Sequence, residues 1–456
     1  MYVLATDMPQ PDSPRNRQGS PAPARVIVTY GRSLMSLVIA HSLGKRGVEV
    51  IGCDDVELTV LSFSRYVRKT FVHAPVDSDP EAFVDDLVAR IRKHKPQDNR
   101  PYVLMPVFRE TEIIARYRDR FEPHIAVAAP PFDAIQGVHP KNNLFQTAVR
   151  LGIPIPRTWE PTAAADLEAA IGAMQFPVLI KPPDQVGGRG IETCHTAAEL
   201  RQRWKRYRAD RYGAALVQQL APGDDYCLTV LFERGTLRGS MAYRNLQKFP
   251  ADSGAGIVRE TVDDNRFLEI ARRLLGPLGW NGIAELDFRW DGTAEMEPLL
   301  LEVNPRFWAG LFQSVESGID FPWLLYQLTV TGHAPEPDYI EIGKRTKIPG
   351  LWLLGAIRDA TVGESRFETL RRTWREAWQK IENNQVKDAF QLLGHSLEGK
   401  ASFRETAATL RAIIQDGRSA KNDLFYRDDP FIVLGVMFIL ASLIRHRKLP
   451  PEISNR

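Results

Sequence analysis

Short apolar runs alternate with segments of helical periodicity over the first third of the chain. The run at residues 25–30 (RVIVTY) is rich in β-branched residues, and a second run, at residues 48–52 (VEVIG), follows one helical segment. Two strands joined through a helix indicate a parallel pair. The predicted elements are strands at residues 25–30, 48–52, 102–107 and 125–129 and helices at residues 36–44 and 81–93. Together they predict an open α/β sheet for residues 25–135.

The turn after the first predicted strand contains a single glycine, Gly31. A dinucleotide-binding turn needs three glycines so that the backbone can approach a pyrophosphate closely. Asp54, after the second predicted strand, is placed like a ribose-binding acid, but acids are common at strand ends. We therefore expect a substrate-facing sheet edge here, and residues 109–112 (RETE) are a further candidate for facing the substrate.

A lysine and a glycine-rich loop follow the next predicted strand. The apolar segment 177–181 ends in Lys181, and the residues after it are rich in glycine. Backbone N–H groups of such a loop can face an anion, although a plain hairpin turn is the alternative. Because no Gly-Lys-Ser/Thr follows, the loop is not a P-loop. Its three glycines are Gly187, Gly188 and Gly190.

Two neighbouring apolar strands place oxygen-bearing side chains on one face. In residues 282–288 (GIAELDF), Glu285 and Asp287 alternate onto the same face. A turn containing Asp-Gly leads into the strand at residues 298–304, where Glu302 and Asn304 again share a face. The pattern predicts a hairpin that brings these side chains together.

The hairpin has the ligands of a hard cation. Asp287, Glu302 and Asn304 supply two carboxylates and an amide oxygen, which suit Mg²⁺ held jointly with substrate phosphates. Burying the two acids without a cation would cost several kcal/mol. Arg306 continues the alternation, so we expect its guanidinium to point into the same site.

Composition excludes several classes of protein. The 456-residue chain has a net charge of only +3, which gives no field to attract nucleic acid or an acidic membrane. Its three cysteines lack the spacing of a disulfide framework or a zinc site, which favours a reducing cytoplasm. Residues 1–24 are rich in proline and serine, and we expect a disordered tail without a signal peptide.

A charge-free apolar segment lies near the end of the chain, at residues 431–444 (FIVLGVMFILASLI), before a basic flank. A helix of this length spans roughly 21 Å, which is shorter than the about 30 Å of a bilayer core. A helix packed on the body and a membrane-surface anchor are both left open. The apolar segment and an amphipathic segment at residues 367–385 together predict a mainly helical C-terminal region for residues 336–456.

In their order and spacing, Lys181, the glycine loop, residues 217–225 and the hairpin resemble the ATP-grasp superfamily. Its members include biotin carboxylase, the carbamoyl-phosphate synthase large subunit and the D-alanine–D-alanine ligases. The resemblance covers residues 25–335 and implies an α/β protein. An ATP-grasp domain at residues 136–335, with a lid subdomain at about residues 175–240, follows an open parallel-sheet, Rossmann-like domain.

The resemblance also implies roles for individual residues. Lys141 and Lys181 match lysines that contact the phosphates of ATP, and Arg306 matches an arginine that faces the reacting carboxyl phosphate. Lys181 and Arg306 are thus the implied catalytic residues. Gly187, Gly188 and Gly190 match the loop that closes over the triphosphate; Gln218, Gln219 and Leu220 match the adenine hinge; Asp225 matches the ribose acid; and Asp287, Glu302 and Asn304 match the ligands of two Mg²⁺ ions, with Mn²⁺ as the alternative ion. Glu is common in the family where Gln219 stands, but the backbone makes most adenine contacts there.

The function implied by the resemblance is ATP-dependent ligation of a carboxylate, activated as an acyl phosphate, to an amine. A membrane-associated enzyme acting on a lipid or envelope precursor and a carboxylating enzyme of the carbamoyl-phosphate synthase or biotin carboxylase kind are the alternatives. Small-molecule acids and amines are the expected partners, in the cytoplasm. A homodimer and membrane contact through residues 431–448 are left open. The basic segment 201–211 is interpreted as a solvated lid helix, so no nucleic-acid partner is expected.

Overall fold

Three sheets organise the part of the chain that the structure describes. The computed structural model describes residues 24–76, 79–182, 190–209, 215–249, 255–337, 339–348, 420–423 and 428–429. Gly187, Gly188 and the predicted helices at residues 367–385 and 431–444 lie outside these ranges. The sheets have five, four and seven strands.

The five-stranded sheet is parallel throughout, as the strand–helix–strand pattern predicts. Its order is β3-β2-β1-β4-β5, so the chain reverses its direction of winding between β1 and β4. In such sheets a crevice opens at the carboxyl ends of the two central strands. The strands are β1 (Arg25–Val28), β2 (Glu49–Asp54), β3 (Val67–Val72), β4 (Tyr102–Met105) and β5 (Ala126–Val127), with helices α1 (Leu34–Lys45), α2 (Pro80–His94), α3 (Glu110–Arg116), α4 (Arg118–Phe121) and α5 (Phe132–Gln136).

A four-stranded antiparallel sheet forms the small subdomain that contains Lys181. Its order is β6-β9-β7-β8, and it packs against a helix that buries Trp204 and Tyr207. Basic residues of this helix pair with acids, Arg201 with Glu168 at 2.7 Å among them, which favours a lid helix over a nucleic-acid surface. The elements are α6 (Lys141–Leu151), β6 (Thr158–Trp159), α7 (Ala164–Ile171), β7 (Val178–Lys181), β8 (Glu192–Cys194), α8 (Ala197–Ala209) and β9 (Leu216–Gln219).

The seven-stranded sheet carries the predicted hairpin at one edge. Its order is β14-β13-β10-β11-β12-β15-β16, and one face packs on α9, which buries Phe267 and Leu274. The opposite face holds the polar side chains of the hairpin. The elements are β10 (Asp224–Glu233), β11 (Thr236–Phe249), β12 (Ala255–Val262), α9 (Asn265–Leu275), β13 (Gly282–Trp290), β14 (Leu299–Asn304), α10 (Leu311–Glu316), α11 (Phe321–Thr331), β15 (Arg345–Lys347) and β16 (Lys421–Asn422).

Two short C-terminal stretches contact both halves of the molecule. β16 pairs in parallel with β15, and Asp423 beside it lies 3.4 Å from the buried guanidinium of Arg259. Asp429 is buried against the first domain, where His41 lies 2.9 Å away and the main-chain N–H of Arg65 donates to it. These contacts place residues 420–423 beside the seven-stranded sheet and residues 428–429 beside the first domain. Among the helices in the described ranges, none is both long and apolar enough to cross a bilayer.

Glu110 stabilises the carboxyl ends of β1 and β4, so this member of the 109–112 motif is structural. Its buried carboxylate accepts from the Thr29 hydroxyl and from the main-chain N–H groups of Val107, at 3.3 Å, and Phe108, at 3.2 Å. These donors come from the loops after both central strands. The carboxylate therefore fixes the two loops relative to each other.

Replacing Glu110 with Ala is expected to lower the free energy of unfolding by about 2–4 kcal/mol, because buried donors lose their acceptor. Chemical denaturation followed by circular dichroism measures the change. Glu122→Ala, in the exposed pair with Arg118, is the matched control and should change stability by less than about 0.5 kcal/mol. Equal destabilisation by the two variants would contradict the structural role of Glu110.

Candidate active site

The register of β13 and β14 determines which side chains meet. Asp287 lies opposite Glu302 and Glu285 lies opposite Asn304, so all four project from one face. The register shifts by one residue directly after Asp287, leaving Leu301 without a partner strand residue. Such bulges bend a strand and redirect its side chains, and they are frequent beside active sites.

Hydrogen bonds continue from the hairpin into the loop that follows it. The Asn304 amide donates to Asp287 Oδ2 at 3.1 Å, and Arg306 Nη2 donates to Asn304 Oδ1 at 2.9 Å. Arg306 Nη1 donates to the carbonyl of Phe307 at 2.8 Å. Of the five N–H donors of a guanidinium, these bonds use two, which leaves donors for a ligand.

Lys141 and Glu302 form a direct ion pair at the hairpin. Lys141 is the first residue of α6, and its Nζ lies 2.8 Å from Glu302 Oε1. Burial by itself would raise the pKa of Glu302, but the adjacent Lys141 ammonium holds it below its usual value. The structure thus brings together two residues that are 161 positions apart.

Lys181 ends β7 with its ammonium inside the protein. Burial, reinforced by the positive charge of Lys141, lowers the pKa of Lys181 to about 8. Its Nζ donates to Gln218 Oε1 at 2.5 Å, and the Gln218 amide donates to Thr158 at 2.9 Å. Two lysines and the hairpin acids therefore meet in one place.

The hairpin residues fit a divalent cation on their own chemistry. Burial, with the nearby carboxylates of Glu285 and Glu302, raises the pKa of Asp287 well above its usual value. A group of carboxylates that resists full ionisation is relieved by a cation between them. With the Asn304 amide, these oxygens are the hard ligands that Mg²⁺ prefers.

The predicted adenine hinge is partly occupied by protein contacts. The main-chain N–H of Gln219 donates to the Arg157 carbonyl at 2.8 Å, and its side chain bonds the main chain of Gln175. Gln218 uses its side chain for Lys181. Leu220 is 48 % exposed at the end of β9, where an apolar side chain can pack against a base. Leu220 thus suits the hinge best.

Asp225 and Gly190 flank this region. Burial would raise the pKa of Asp225, but hydrogen bonds from Lys248 and Arg289 hold it below its usual value. These cations already occupy the acid, so a ribose would share it with them. Gly190 adopts a left-handed φ of 67° at the end of the glycine loop, where the Tyr207 hydroxyl donates to its carbonyl.

The first domain reaches the hairpin through stacked rings. The guanidinium carbon of Arg306 lies 4.6 Å from the centre of the Phe108 ring, which stacks on Tyr30 at 5.0 Å. Arg109 lies over the same Phe108 ring, at 5.8 Å. Tyr30 has φ 55°, a strained value for an aromatic residue and one that clusters at functional sites. The crevice at β1 and β4 therefore faces Arg306.

Glu285, Tyr243 and Cys227 belong to this site but were not assigned from the sequence. The Tyr243 hydroxyl donates to Glu285, and Cys227 is the register partner of Asp287. One ligand atom from each of Cys227, Glu285 and Asp287 lies within 4.8 Å of the others. Alternation placed Glu285 on the correct face, but no motif indicated its neighbours.

The aromatic residues after the hairpin pack in the core. Phe307 and Trp308 have no exposed surface, Phe312 is 5 % exposed, and Trp308 meets Phe321 edge-on with ring centres 4.9 Å apart. Their burial makes them part of the core and not the lining of a substrate pocket.

Comparison with known proteins agrees with this geometry. Residues 213–347 match the family model described as ATP-grasp in the biosynthetic pathway with Ter operon. Biotin carboxylase from Campylobacter jejuni has the same fold, with a TM-score of 0.56 at 16% identity over 70% of this chain and 74% of that one. The chain belongs to the ATP-grasp superfamily. The predicted fold class, an ATP-grasp α/β fold with a parallel sheet, is confirmed.

Curated relatives of this ATP-grasp protein match about a third of it. An uncharacterized protein of Sinorhizobium fredii, y4rH, is 28% identical over 35% of this chain and 34% of its own length. The D-alanine–D-alanine ligase of Ectopseudomonas mendocina is 29% identical over 34% of this chain and 51% of its own length. The chain thus spans about a third to a half of the length of these two relatives.

MgATP binding to this ATP-grasp protein should be accompanied by proton uptake between pH 8 and 9. Lys181 is partly neutral there, since its pKa is about 8, and phosphate oxygens favour its charged form. Raising the pH above 8 should therefore weaken binding. Calorimetry in two buffers of different ionisation enthalpy measures the uptake. Lys181→Met should bind without it, and unchanged uptake in that variant would exclude Lys181 as the source.

Proposed function

We propose that this protein is an ATP- and Mg²⁺-dependent ligase that activates a carboxylate as an acyl phosphate and joins it to an amine. The contact of Lys141 with Glu302 carries the proposal, because the lysine proposed to bind phosphate lies 2.8 Å from an acid proposed to bind the metal. The D-alanine–D-alanine ligase among the relatives has a name that agrees with this chemistry.

The charges of the site suit phosphoryl transfer. Lys141 and Lys181 lie where they can neutralise oxygens of the triphosphate, whose charge spreads in the transition state. Asp287, Glu302 and Asn304 would hold Mg²⁺, which neutralises phosphate charge when bound. Positive groups in a preorganised, partly buried site stabilise this charge more strongly than water does.

Arg306 is suited to the second half of the reaction. It is fixed by Asn304 and stacked on Phe108, and its remaining donors can hold the oxygens of an acyl phosphate. The glycine loop, residues 187–190, is proposed to close over the triphosphate and exclude water. Exclusion of water protects the acyl phosphate from hydrolysis.

Adenine is proposed to bind along residues 218–220 and the ribose beside Asp225. Cytoplasmic small molecules are the proposed substrates. The identity of the acid distinguishes a carboxylate–amine ligase from a carboxylating enzyme. A carboxylating enzyme would use bicarbonate as its acid, since bicarbonate is also activated by phosphorylation. Bicarbonate therefore belongs in any panel of acids tested.

A screen of phosphate release with MgATP, over panels of acids and amines, tests the proposed reaction. Release that requires both an acid and an amine is the expected result, with formation of an amide as its confirmation by mass spectrometry. Release with bicarbonate alone would favour the carboxylating alternative. ATP-independent turnover would exclude both.

Glu302→Gln should lower the turnover rate at least about 100-fold, because it removes one metal-binding charge from the transition state. The fold should persist, since Gln keeps the shape of the side chain and can still accept from Lys141. Phosphate release and circular dichroism measure the two effects. Glu316→Gln, at the end of α10, is the control that should retain activity. Full activity in Glu302→Gln would exclude the proposed metal site.

A further inference from the structure

Glu285 is a buried carboxylate of the active site to which the proposed function gives no role. It lies on β13, two residues before Asp287, and is only 7 % exposed. In the described part of the chain, no lysine, arginine or histidine nitrogen lies within 4.0 Å of its oxygens. A buried carboxylate without an ion-pair partner is costly to a protein. A buried carboxyl group with no ion-pair partner here favours a ligand of positive charge.

The position of Glu285 along the hairpin separates it from the metal pair. The Asp287–Glu302 register pair comes first, the Glu285–Asn304 pair follows, and Arg306 continues beyond it. Side chains on one face of a strand repeat every two residues, about 7 Å apart. Glu285 therefore lies toward Arg306, where the acyl group is proposed to form.

Neighbouring side chains hold the Glu285 carboxylate in one orientation. Tyr243 is buried on β11 and donates its hydroxyl to Glu285 Oε1 at 2.5 Å. Gly310 packs on the Tyr243 ring so closely that an added Cβ would lie 2.9 Å from the hydroxyl. The ring therefore cannot move away without displacing this loop, which makes Tyr243 a positioning residue for Glu285.

The two guanidinium groups whose charges act on Glu285 make their hydrogen bonds and ion pairs with other groups. Arg259 pairs with Asp423 at 3.4 Å, and Arg306 bonds Asn304 and the Phe307 carbonyl. Both act on Glu285 only through their field. The site thus keeps an oriented carboxyl group beside the proposed acyl position.

We propose that Glu285 binds the ammonium group of the acceptor, so that the acceptor is an amine that arrives as a cation. This inference rests on the proposed ligase function. The amine nitrogen bonds to the carbonyl carbon of the acyl phosphate, and the carbon–oxygen bond to phosphate breaks. Of the two protons that the ammonium gives up, one leaves with the phosphate and one goes to solvent.

The competing role for Glu285 is that of a metal ligand beside Cys227 and Asp287. The three lie close enough to share an ion. A thiol is a soft ligand that suits Zn²⁺ better than Mg²⁺, so this role predicts a changed metal requirement when Glu285 is replaced. An acceptor-binding role predicts a changed requirement for the amine alone.

Hydroxylamine separates these roles because it is a nucleophile that is uncharged at neutral pH. It traps an acyl phosphate as a hydroxamate and needs no ammonium site. The experiment uses the full chain, MgATP, the acid panel and either hydroxylamine or amino acids as nucleophiles. Glu285→Gln should raise KM for the amino acid acceptor by about 10- to 100-fold, the loss expected for one charged hydrogen bond. Hydroxamate formation and the Mg²⁺ requirement should stay within a few fold of the wild type.

Several results would overturn the inference. An unchanged KM for the amine in Glu285→Gln would exclude ammonium binding. Parallel loss of hydroxamate and amide, with a raised Mg²⁺ requirement, would assign Glu285 to the metal. Absence of hydroxamate with every acid in the wild type would reject the proposed function itself, and the inference with it.

Two further variants guard against a folding defect. Tyr243→Phe leaves Glu285 in place but removes the hydroxyl that orients it, and it should raise KM for the amine by a smaller factor, with hydroxamate formation retained. No effect of Tyr243→Phe on that KM would overturn the orientation argument. Glu269→Gln, on the exposed side of α9, is the matched control and should match the wild type in every assay.

Discussion

The site depends on the burial of several negative groups on one face of the β13–β14 hairpin. Antiparallel register makes their proximity unavoidable, since Asp287 faces Glu302 and Glu285 faces Asn304. Carboxylates so placed repel one another and lose their hydration. Three cations offset that repulsion: Lys141 on the first turn of α6, Lys181 at the end of β7, and Arg306 in the loop after β14. The assembly of three sheets can be understood as the means of bringing these cations to one hairpin.

The sequence predicted this centre well because its information there is local. Alternation along a strand assigns a face, and one turn between two strands assigns a pairing, so Asp287, Glu302 and Asn304 could be placed together without any knowledge of the fold. The parallel sheet of the first domain was predicted for the same reason. β3 was missed because an exposed edge strand has charged residues, among them Arg68 and Lys69, where a buried strand would be apolar. β11 and β12 were missed because adjacent polar residues interrupt their apolar alternation, Arg244 and Asn245 in β11 and Arg259 and Glu260 in β12.

Partners distant in sequence could not be predicted in this way. Tyr243 on β11 reaches Glu285 on β13 across the intervening strand β10, and Asp423 reaches Arg259 across 164 positions. The resemblance to a family supplied Lys141 and the phosphate-binding role of Lys181, and no periodicity reveals that the two lysines converge. It also assigned Asp225 to a ribose, whereas the structure shows that carboxylate already engaged by Lys248 and Arg289. A family pattern identifies candidate ligand-binding positions, but the local ion pairs determine whether each side chain is available to bind a ligand.

The ion pair between Lys141 and Glu302 has a consequence for the order in which ligands arrive. In the structure these two groups satisfy each other, so a free cation must compete with the lysine and a free nucleotide must compete with the glutamate. A nucleotide with its metal ion would supply a new partner for each group at once. Its phosphate would pair with the lysine, and its metal ion would pair with the glutamate. Under the proposed function, the pair would therefore favour a nucleotide that carries its metal over either ligand arriving alone.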